Sequence, residues 1–146
     1  PKKLAAQAPA ATVEWFRRQS ANDFKLTGEM HRAGVPMLAG SDSLDPYNFI
    51  GHSLHQELRF LVQAGFTPLE ALQAATRNAA RFLGEDDRWG TAEAGKAADL
   101  VMLEANPLDD IGNTEKIAGV VLGGRYLSRE DLDKLLADLR TIAQGN

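Results

Sequence analysis

The residue best placed for chemistry is Asp42, which belongs to the stretch GSDS (residues 40–43) directly after the apolar run Val35–Ala39. Continuous apolarity in that run predicts a strand buried on both faces, as in a parallel sheet covered by helices. Pro36 lacks a backbone donor and fits best at the first position of such a strand. Asp42 then follows the strand's carboxyl end, where parallel α/β folds place their chemistry. An acid at this point could equally cap the following turn.

Two histidines and a serine are the other candidates near Asp42. His52 and His55 lie around the start of the next helix, where the helix dipole favours a neutral imidazole. The HxxH spacing does not by itself make a zinc site, because further ligands are missing. His55 could line a site or simply pack on the helix surface. Ser43 could hydrogen-bond Asp42 or a substrate, although turn chemistry explains it as well.

The elements that position these residues can be predicted from periodicity and capping signals. Thr12 is predicted to cap a first helix that ends at Gly34, and the polar stretch 20–23 leaves open whether this is one helix or two. His31, near its end, has a structural role because a cation there complements the helix dipole. Three more helices are predicted: one from Ser53 with a capping box to Gln56, one from Thr67 with a capping box to Glu70, and a short one over 78–83.

The character of the chain changes after residue 84. Ala98–Leu103 and Ala118–Leu122 are predicted strands that pair with each other, and Arg125–Leu127 continues beyond a glycine turn. Ser128 with Asp131 is predicted to cap a last helix that carries a leucine stripe. We therefore expect a linker over 1–11, part of an α/β barrel over 12–84, a small β unit over 85–127 and a helix over 128–146.

Composition excludes several classes of function. The 146 residues suit one domain, and the net charge of −4 without a basic stripe argues against a nucleic-acid partner. The absence of cysteine is compatible with the cytoplasm, and no apolar run approaches the length of a membrane span. The first residues lack the apolar region of a signal peptide. Because the chain does not begin with Met, we expect it to be processed or to be a fragment.

Four ordered blocks carry a family resemblance: GSDS, then SLHQELRFLVQAGFTPLEALQAATRNAARFLG, then GKAADLVMLEANPLDDI, then VVLGGRYL. From about Gly34 onward, the sequence resembles the C-terminal part of metal-dependent amidohydrolases, in particular the imidazolonepropionase-like and prolidase-like branches. The resemblance implies the last segment of a TIM-like (β/α)8 barrel, part of a small β-sandwich domain and a C-terminal helix.

The resemblance also implies roles for individual residues. The aspartate that Asp42 matches ends the last barrel strand, binds a divalent metal, most often zinc, and accepts a proton from the metal-bound water. His55 matches a histidine that lines the site, and Ser43 is expected beside it. Lys96 does not match the family's carbamylated lysine, and nothing here matches its early HxH strand or its two histidines on middle strands.

Two hypotheses follow from these matches and gaps. In the first, the chain is a fragment of a hydrolase that acts on amide or other C–N bonds of a small molecule, such as a cyclic amide or a dipeptide. It would be inactive alone and completed by the missing N-terminal part or by another copy. In the second, it is a non-catalytic structural or association module derived from an amidohydrolase.

Overall fold

The computed structural model of the protein describes residues 9–42 and 48–144. The prediction for Ser43, most of the linker predicted over residues 1–11 and the end of the last helix lie outside these ranges. Helices fill the first part of the chain, and a small antiparallel sheet with one flanking helix fills the second part.

The first helix, α1, spans Ala10–Arg32 without a break, so the polar stretch 20–23 does not divide it. The predicted Thr12 cap is wrong, because the N-cap is Pro9, three residues earlier, and no side chain caps the helix. The predicted end is confirmed: Gly34 has a φ of 75°, and its N–H donates to the His31 carbonyl while that of Val35 donates to Met30. This paired arrangement is a Schellman motif, which favours glycine at its left-handed position.

Three shorter helices follow: α2 over His52–Gln63, α3 over Pro68–Ala75 and α4 over Arg77–Leu83. The predicted Ser53 cap is wrong, because α2 begins at His52 after Gly51, and the buried Ser53 hydroxyl accepts a hydrogen bond from the Phe49 N–H at 2.8 Å. The Thr67–Glu70 capping box at the start of α3 is confirmed in both directions.

The predicted strand Val35–Ala39 is not formed, because no strand of the described chain pairs with it. Besides the bond from the Val35 N–H to the Met30 carbonyl at the end of α1, a backbone hydrogen bond from the Ala39 N–H to the Ala74 carbonyl at 3.2 Å ties it to the helices. Met37 and Ala39 nevertheless pack against the buried core, while Val35 and Leu38 each remain 41% exposed. One side of the segment, with Met37 and Ala39, therefore contacts the core, and the other side exposes the apolar side chains of Val35 and Leu38.

The sheet consists of β1 (Leu100–Leu103), β2 (Ile117–Leu122) and β3 (Arg125–Ser128), antiparallel in that order. The predicted pairing of the first two strands is confirmed, although β1 begins two residues later than expected. A 3₁₀ helix over Ile111–Glu115 connects them. The last helix, α5, spans Arg129–Ala143, and its predicted Ser128–Asp131 capping box is confirmed.

The core joins α2, α3 and the 3₁₀ helix. Its buried members are Leu58, Leu61, Phe66, Ala71, Ala74 and Ile111. Helix α1 crosses α2 at Gly28, where a side chain would meet the Ala64 carbonyl oxygen at 2.4 Å, so only glycine permits this approach. The leucine stripe of α5 stays largely exposed, with Leu139 at 60% and Ile142 at 72%. None of the described helices is long and apolar enough to cross a membrane.

Candidate active site

Asp42 lies at the exposed end of the segment that leads out of the core. Its φ of 44° places it in the left-handed region, the only described residue other than glycine to do so. Such a conformation costs about 1 kcal/mol or more and persists only where the surroundings hold it. Asn48 contributes one restraint, because its side-chain amide donates to the Asp42 carbonyl at 3.2 Å. The carboxylate lies close to Gly40, where a Cβ would come within 3.8 Å of Oδ1.

Glu57 of α2 is a second carboxylate at this site, and the sequence interpretation missed it. It is half-buried. Burial raises the pKa of Glu57, the Gly40 backbone lowers it, and the negative charge of Asp42 raises it again. The signal that could have found it is helical spacing, since Glu57 lies four residues from both Ser53 and Leu61, which are buried.

His55 is held by the 3₁₀ helix. Its Nδ1 lies 3.0 Å from Thr114 Oγ1, and the same hydroxyl donates to the Ile111 carbonyl at 2.8 Å. Because a hydroxyl has one proton to donate, Nδ1 of His55 must be the donor, which leaves Nε2 unprotonated in the neutral ring. Burial lowers the pKa of His55, Glu115 raises it, and His52 and Arg59 lower it.

The other candidate residues are exposed or contact parts of the chain other than Asp42. His52 is exposed at the first turn of α2. His31 stacks on Phe66 with ring centroids 3.8 Å apart, and its Nε2 lies 3.5 Å from a Glu70 carboxylate oxygen, as its predicted structural role requires. Lys96 is engaged in its turn, where Nζ donates to the Asp86 carbonyl at 2.7 Å.

The described residues do not complete a metal site. Ranges 9–42 and 48–144 contain no group of three or more histidines, cysteines, aspartates or glutamates arranged to hold a metal ion. A catalytic zinc needs about three protein ligands and an open position. Asp42 could serve as one of them, so the others would have to come from elsewhere.

A cleft of about 950 Å³ lies between the helices and the sheet. His55 lines it together with Leu54 of α2, Trp89 of the connecting turn, and Leu100 and Val101 of β1, and most of the wall is apolar. Asp42 is not among its lining residues. Among the described residues, the cleft therefore contains His55 but does not bring it together with Asp42.

The comparison with known families agrees with the order of elements just described. The sequence model of the amidohydrolase family matches residues 19–127, which include the Asp42 segment, α2 to α4 and the sheet up to β3. The chain belongs to the amidohydrolase family.

Individual relatives place the chain within that family. It is 37% identical over 101 residues to ochratoxinase from Aspergillus niger, which covers 66% of this chain and 20% of the relative. It is 38% identical over 103 residues to imidazolonepropionase from Aeromonas salmonicida, covering 67% of this chain and 25% of the relative. A crystal structure of a Xaa-Pro dipeptidase with bound methionine in the active site matches with a TM-score of 0.66 and 27% identity, over 72% of this chain and 25% of that one.

The resemblance to the imidazolonepropionase-like and prolidase-like branches is thus confirmed. The chain spans only about a fifth to a quarter of the length of these relatives. The coarse fold prediction is also confirmed, as a mixed α/β arrangement with a three-stranded sheet in a family whose structures contain a barrel.

Proposed function

We propose that this chain is part of a metal-dependent hydrolase that cleaves amide or other C–N bonds in a small molecule. The observation that carries the proposal is membership of the amidohydrolase family over residues 19–127. The names of the relatives, among them imidazolonepropionase and a Xaa-Pro dipeptidase, favour a cyclic amide or a dipeptide-like substrate.

Asp42 is the proposed reacting group of this chain. A divalent metal, with zinc the first candidate, supplies water of lowered pKa when it is bound. Asp42 would be one ligand and the acceptor of a proton, a role that suits an exposed carboxylate held in a fixed turn. His55 and Ser43 are proposed to line the substrate site, and of these the structure describes His55, whose Nε2 is free to accept a hydrogen bond.

The proposed function also assigns each part of the chain a place in a larger enzyme. The run Val35–Ala39 would be the last barrel strand, since its apolar side chains are half-exposed and the described chain offers no strand to pair with it. Residues 85–127 would form the C-terminal part of a small β domain. The part of the relatives that this chain does not match would supply the neighbouring strands and the other metal ligands.

A non-catalytic module is the second candidate. The observation in its favour is the lack of a metal-binding group of three or more ligands within residues 9–42 and 48–144. In that case the chain would serve association through its exposed apolar surfaces, such as the α5 stripe.

Metal analysis and hydrolysis assays on the full-length protein discriminate the two. The protein would be purified without chelator, its metals measured by plasma mass spectrometry, and its activity measured on a panel of Xaa-Pro dipeptides, N-acyl amino acids and cyclic amides. The hydrolase proposal expects bound divalent metal and turnover that is lost after metal removal and regained after its return. A full-length protein with neither metal nor turnover would support the module.

A further inference from the structure

The Thr114 hydroxyl is a buried group that contacts two partners at once. Thr114 is 6% exposed, and its Oγ1 lies 3.0 Å from Nδ1 of His55 and 2.8 Å from the Ile111 carbonyl oxygen. A carbonyl oxygen can only accept a hydrogen bond, so the single hydroxyl proton is donated to Ile111. Both contacts are therefore satisfied only when the Nδ1–H of His55 donates to Oγ1, which leaves Nε2 without a proton in the neutral ring.

The 3₁₀ helix that carries Thr114 is itself restrained by side-chain hydrogen bonds. At its start, the Asp110 carboxylate accepts from the Gly112 N–H at 2.8 Å. Further along, the buried Asn113 side chain donates to the Asn106 carbonyl at 2.8 Å. Thr114 therefore presents its hydroxyl from a restrained backbone, and this fixes the direction of the hydrogen bond that it accepts.

Helix α2 brings His55 to this hydroxyl in a defined register. His55 and Arg59 are spaced by four residues and share one helix face. The Arg59 guanidinium lies 2.9 Å from a Glu115 carboxylate oxygen, so the face contacts two consecutive residues of the 3₁₀ helix. Leu58 of α2 is buried in the same core cluster as Ile111. The helix and the 3₁₀ helix are thus held together around the His55 ring by contacts other than its own.

We propose that Thr114 is the positioning residue for His55: its hydroxyl holds the ring as the Nδ1–H tautomer and leaves Nε2 as a hydrogen-bond acceptor for a substrate. The ring lines the cleft, and burial lowers the pKa of His55, which favours the neutral form that this role requires. The part in substrate binding rests on the proposed function, whereas the tautomer does not. An acceptor at Nε2 favours substrates that carry an N–H or O–H donor.

The tautomer can be measured on the 146-residue chain, which has three histidines. With ¹⁵N-histidine label at about pH 8, where histidine is mostly neutral, NMR spectra show which ring nitrogen carries the proton, and His55→Gln identifies the signals of His55. We expect the wild-type chain to have the proton on Nδ1. Thr114→Val keeps the shape but removes the acceptor, so the Nε2–H tautomer should appear, whereas Thr114→Ser keeps the hydroxyl and should retain Nδ1–H.

Kinetics of the full-length protein test the part in substrate binding. Thr114→Val should raise KM about 3- to 10-fold with kcat within about threefold, which is the effect of losing one hydrogen bond to a bound substrate, and Thr114→Ser should restore KM. A substrate whose donor N–H is methylated should give the same KM with wild type and Thr114→Val. Thr141→Val is the matched control, because its exposed hydroxyl donates only to the Ala137 carbonyl of α5, and it should change neither the tautomer nor KM.

The protonated nitrogen of His55 separates this inference from the proposed function. A wild-type ring protonated on Nε2, or unchanged His55 signals in Thr114→Val, would overturn the positioning role. If Thr114→Val does not fold, the wild type and Thr114→Ser decide, and loss of the Nδ1–H tautomer in the serine variant would also overturn it. If the full-length protein hydrolyses no C–N substrate, the proposed function fails and the tautomer alone decides. An altered tautomer with unchanged KM would overturn the part of His55 in substrate binding.

Discussion

Nδ1 of His55 lies 3.0 Å from Thr114 Oγ1, which joins helix α2 to the 3₁₀ helix that connects the first two strands of the sheet. One turn along α2, the Arg59 guanidinium lies 2.9 Å from a Glu115 carboxylate oxygen. Between these polar contacts, Ile111 is buried in the core with Leu58. The helical part and the sheet are therefore held together by an apolar contact flanked by one neutral and one charged pair.

This junction should weaken in acid. Burial lowers the pKa of His55 in the folded chain, whereas an unfolded histidine titrates near pH 6.5. Below that pH the unfolded state binds more protons than the folded state, so the free energy of unfolding falls as the pH decreases. Urea unfolding at a series of pH values between 5 and 8 measures this slope.

The matched variants for this prediction are on the same helix. His55→Gln cannot take up the proton, so it should flatten the slope between pH 6.5 and 5. The exposed His52→Gln should leave most of the slope in place. Equal slopes in the wild type and in His55→Gln would mean that other groups cause the acid sensitivity.

The capping box at the start of α3 should contribute measurably to stability. The Thr67 hydroxyl accepts from the Glu70 N–H at 3.2 Å, and Thr67→Ala removes that partner. Loss of such a cap typically costs about 1 kcal/mol, measured here as the free energy of unfolding in urea. Thr12→Ala is the control, because Thr12 lies inside α1 rather than at its cap, and it should be neutral or slightly stabilising. A comparable loss for both variants would contradict the observed helix boundaries.

How well the sequence predicted each helix start depended on which group completes the cap. Thr67 and Ser128 were predicted correctly because their capping boxes are closed within four residues. Ser53 has the same local pattern, yet its hydroxyl accepts from the Phe49 N–H in the preceding turn instead of from an N–H of the helix. Helix starts whose cap bonds run into the helix could be predicted, and the one whose hydroxyl bonds backwards to the preceding turn could not.

At the candidate site, too, the sequence predicted some features and missed others. The apolar run and the polar turn after it pointed to Asp42. Glu57 was missed because a glutamate on an amphipathic helix is usually solvated, and its partial burial depends on how α2 packs against the rest of the chain. The strand predicted over Val35–Ala39 is absent because a strand requires neighbours, which the described chain does not supply.

Asp42→Asn in the full-length protein should remove most turnover and spare the fold. The amide has nearly the same shape but cannot accept a proton, and loss of a general base typically costs about two to four orders of magnitude in rate. Steady-state kinetics and thermal unfolding measure the two effects. Asp109→Asn makes the same chemical change at an exposed position of the β unit and serves as the control. Near-normal turnover in Asp42→Asn would mean that Asp42 only stabilises the turn and has no catalytic role.

The 146-residue chain alone should hydrolyse nothing measurable. The residues that the structure describes supply too few ligands for a catalytic metal, which needs about three from the protein. The assay is turnover of the same substrate panel by the purified chain with added zinc, with the full-length protein as the positive control. Robust metal-stimulated hydrolysis by the chain alone would contradict the fragment interpretation.

The last prediction concerns the backbone of Val35–Ala39. The N–H groups of Met37 and Leu38 have no backbone acceptor within the described residues, and Leu38 is half-exposed. In the isolated chain these amides should exchange rapidly with solvent. In the full-length protein, neighbouring barrel strands should pair with them and slow their exchange roughly 100-fold or more.

Amides of the central strand β2 provide the internal standard for this comparison. Val120 and Val121 are paired on both sides, by β1 and by β3, so they should be protected in both forms. Hydrogen exchange followed by mass spectrometry, with peptides that separate residues 35–39 from 117–122, measures both. Strong protection of Met37 and Leu38 in the isolated monomeric chain would mean that the segment finds its partners within these 146 residues, and the proposed barrel strand would then be wrong.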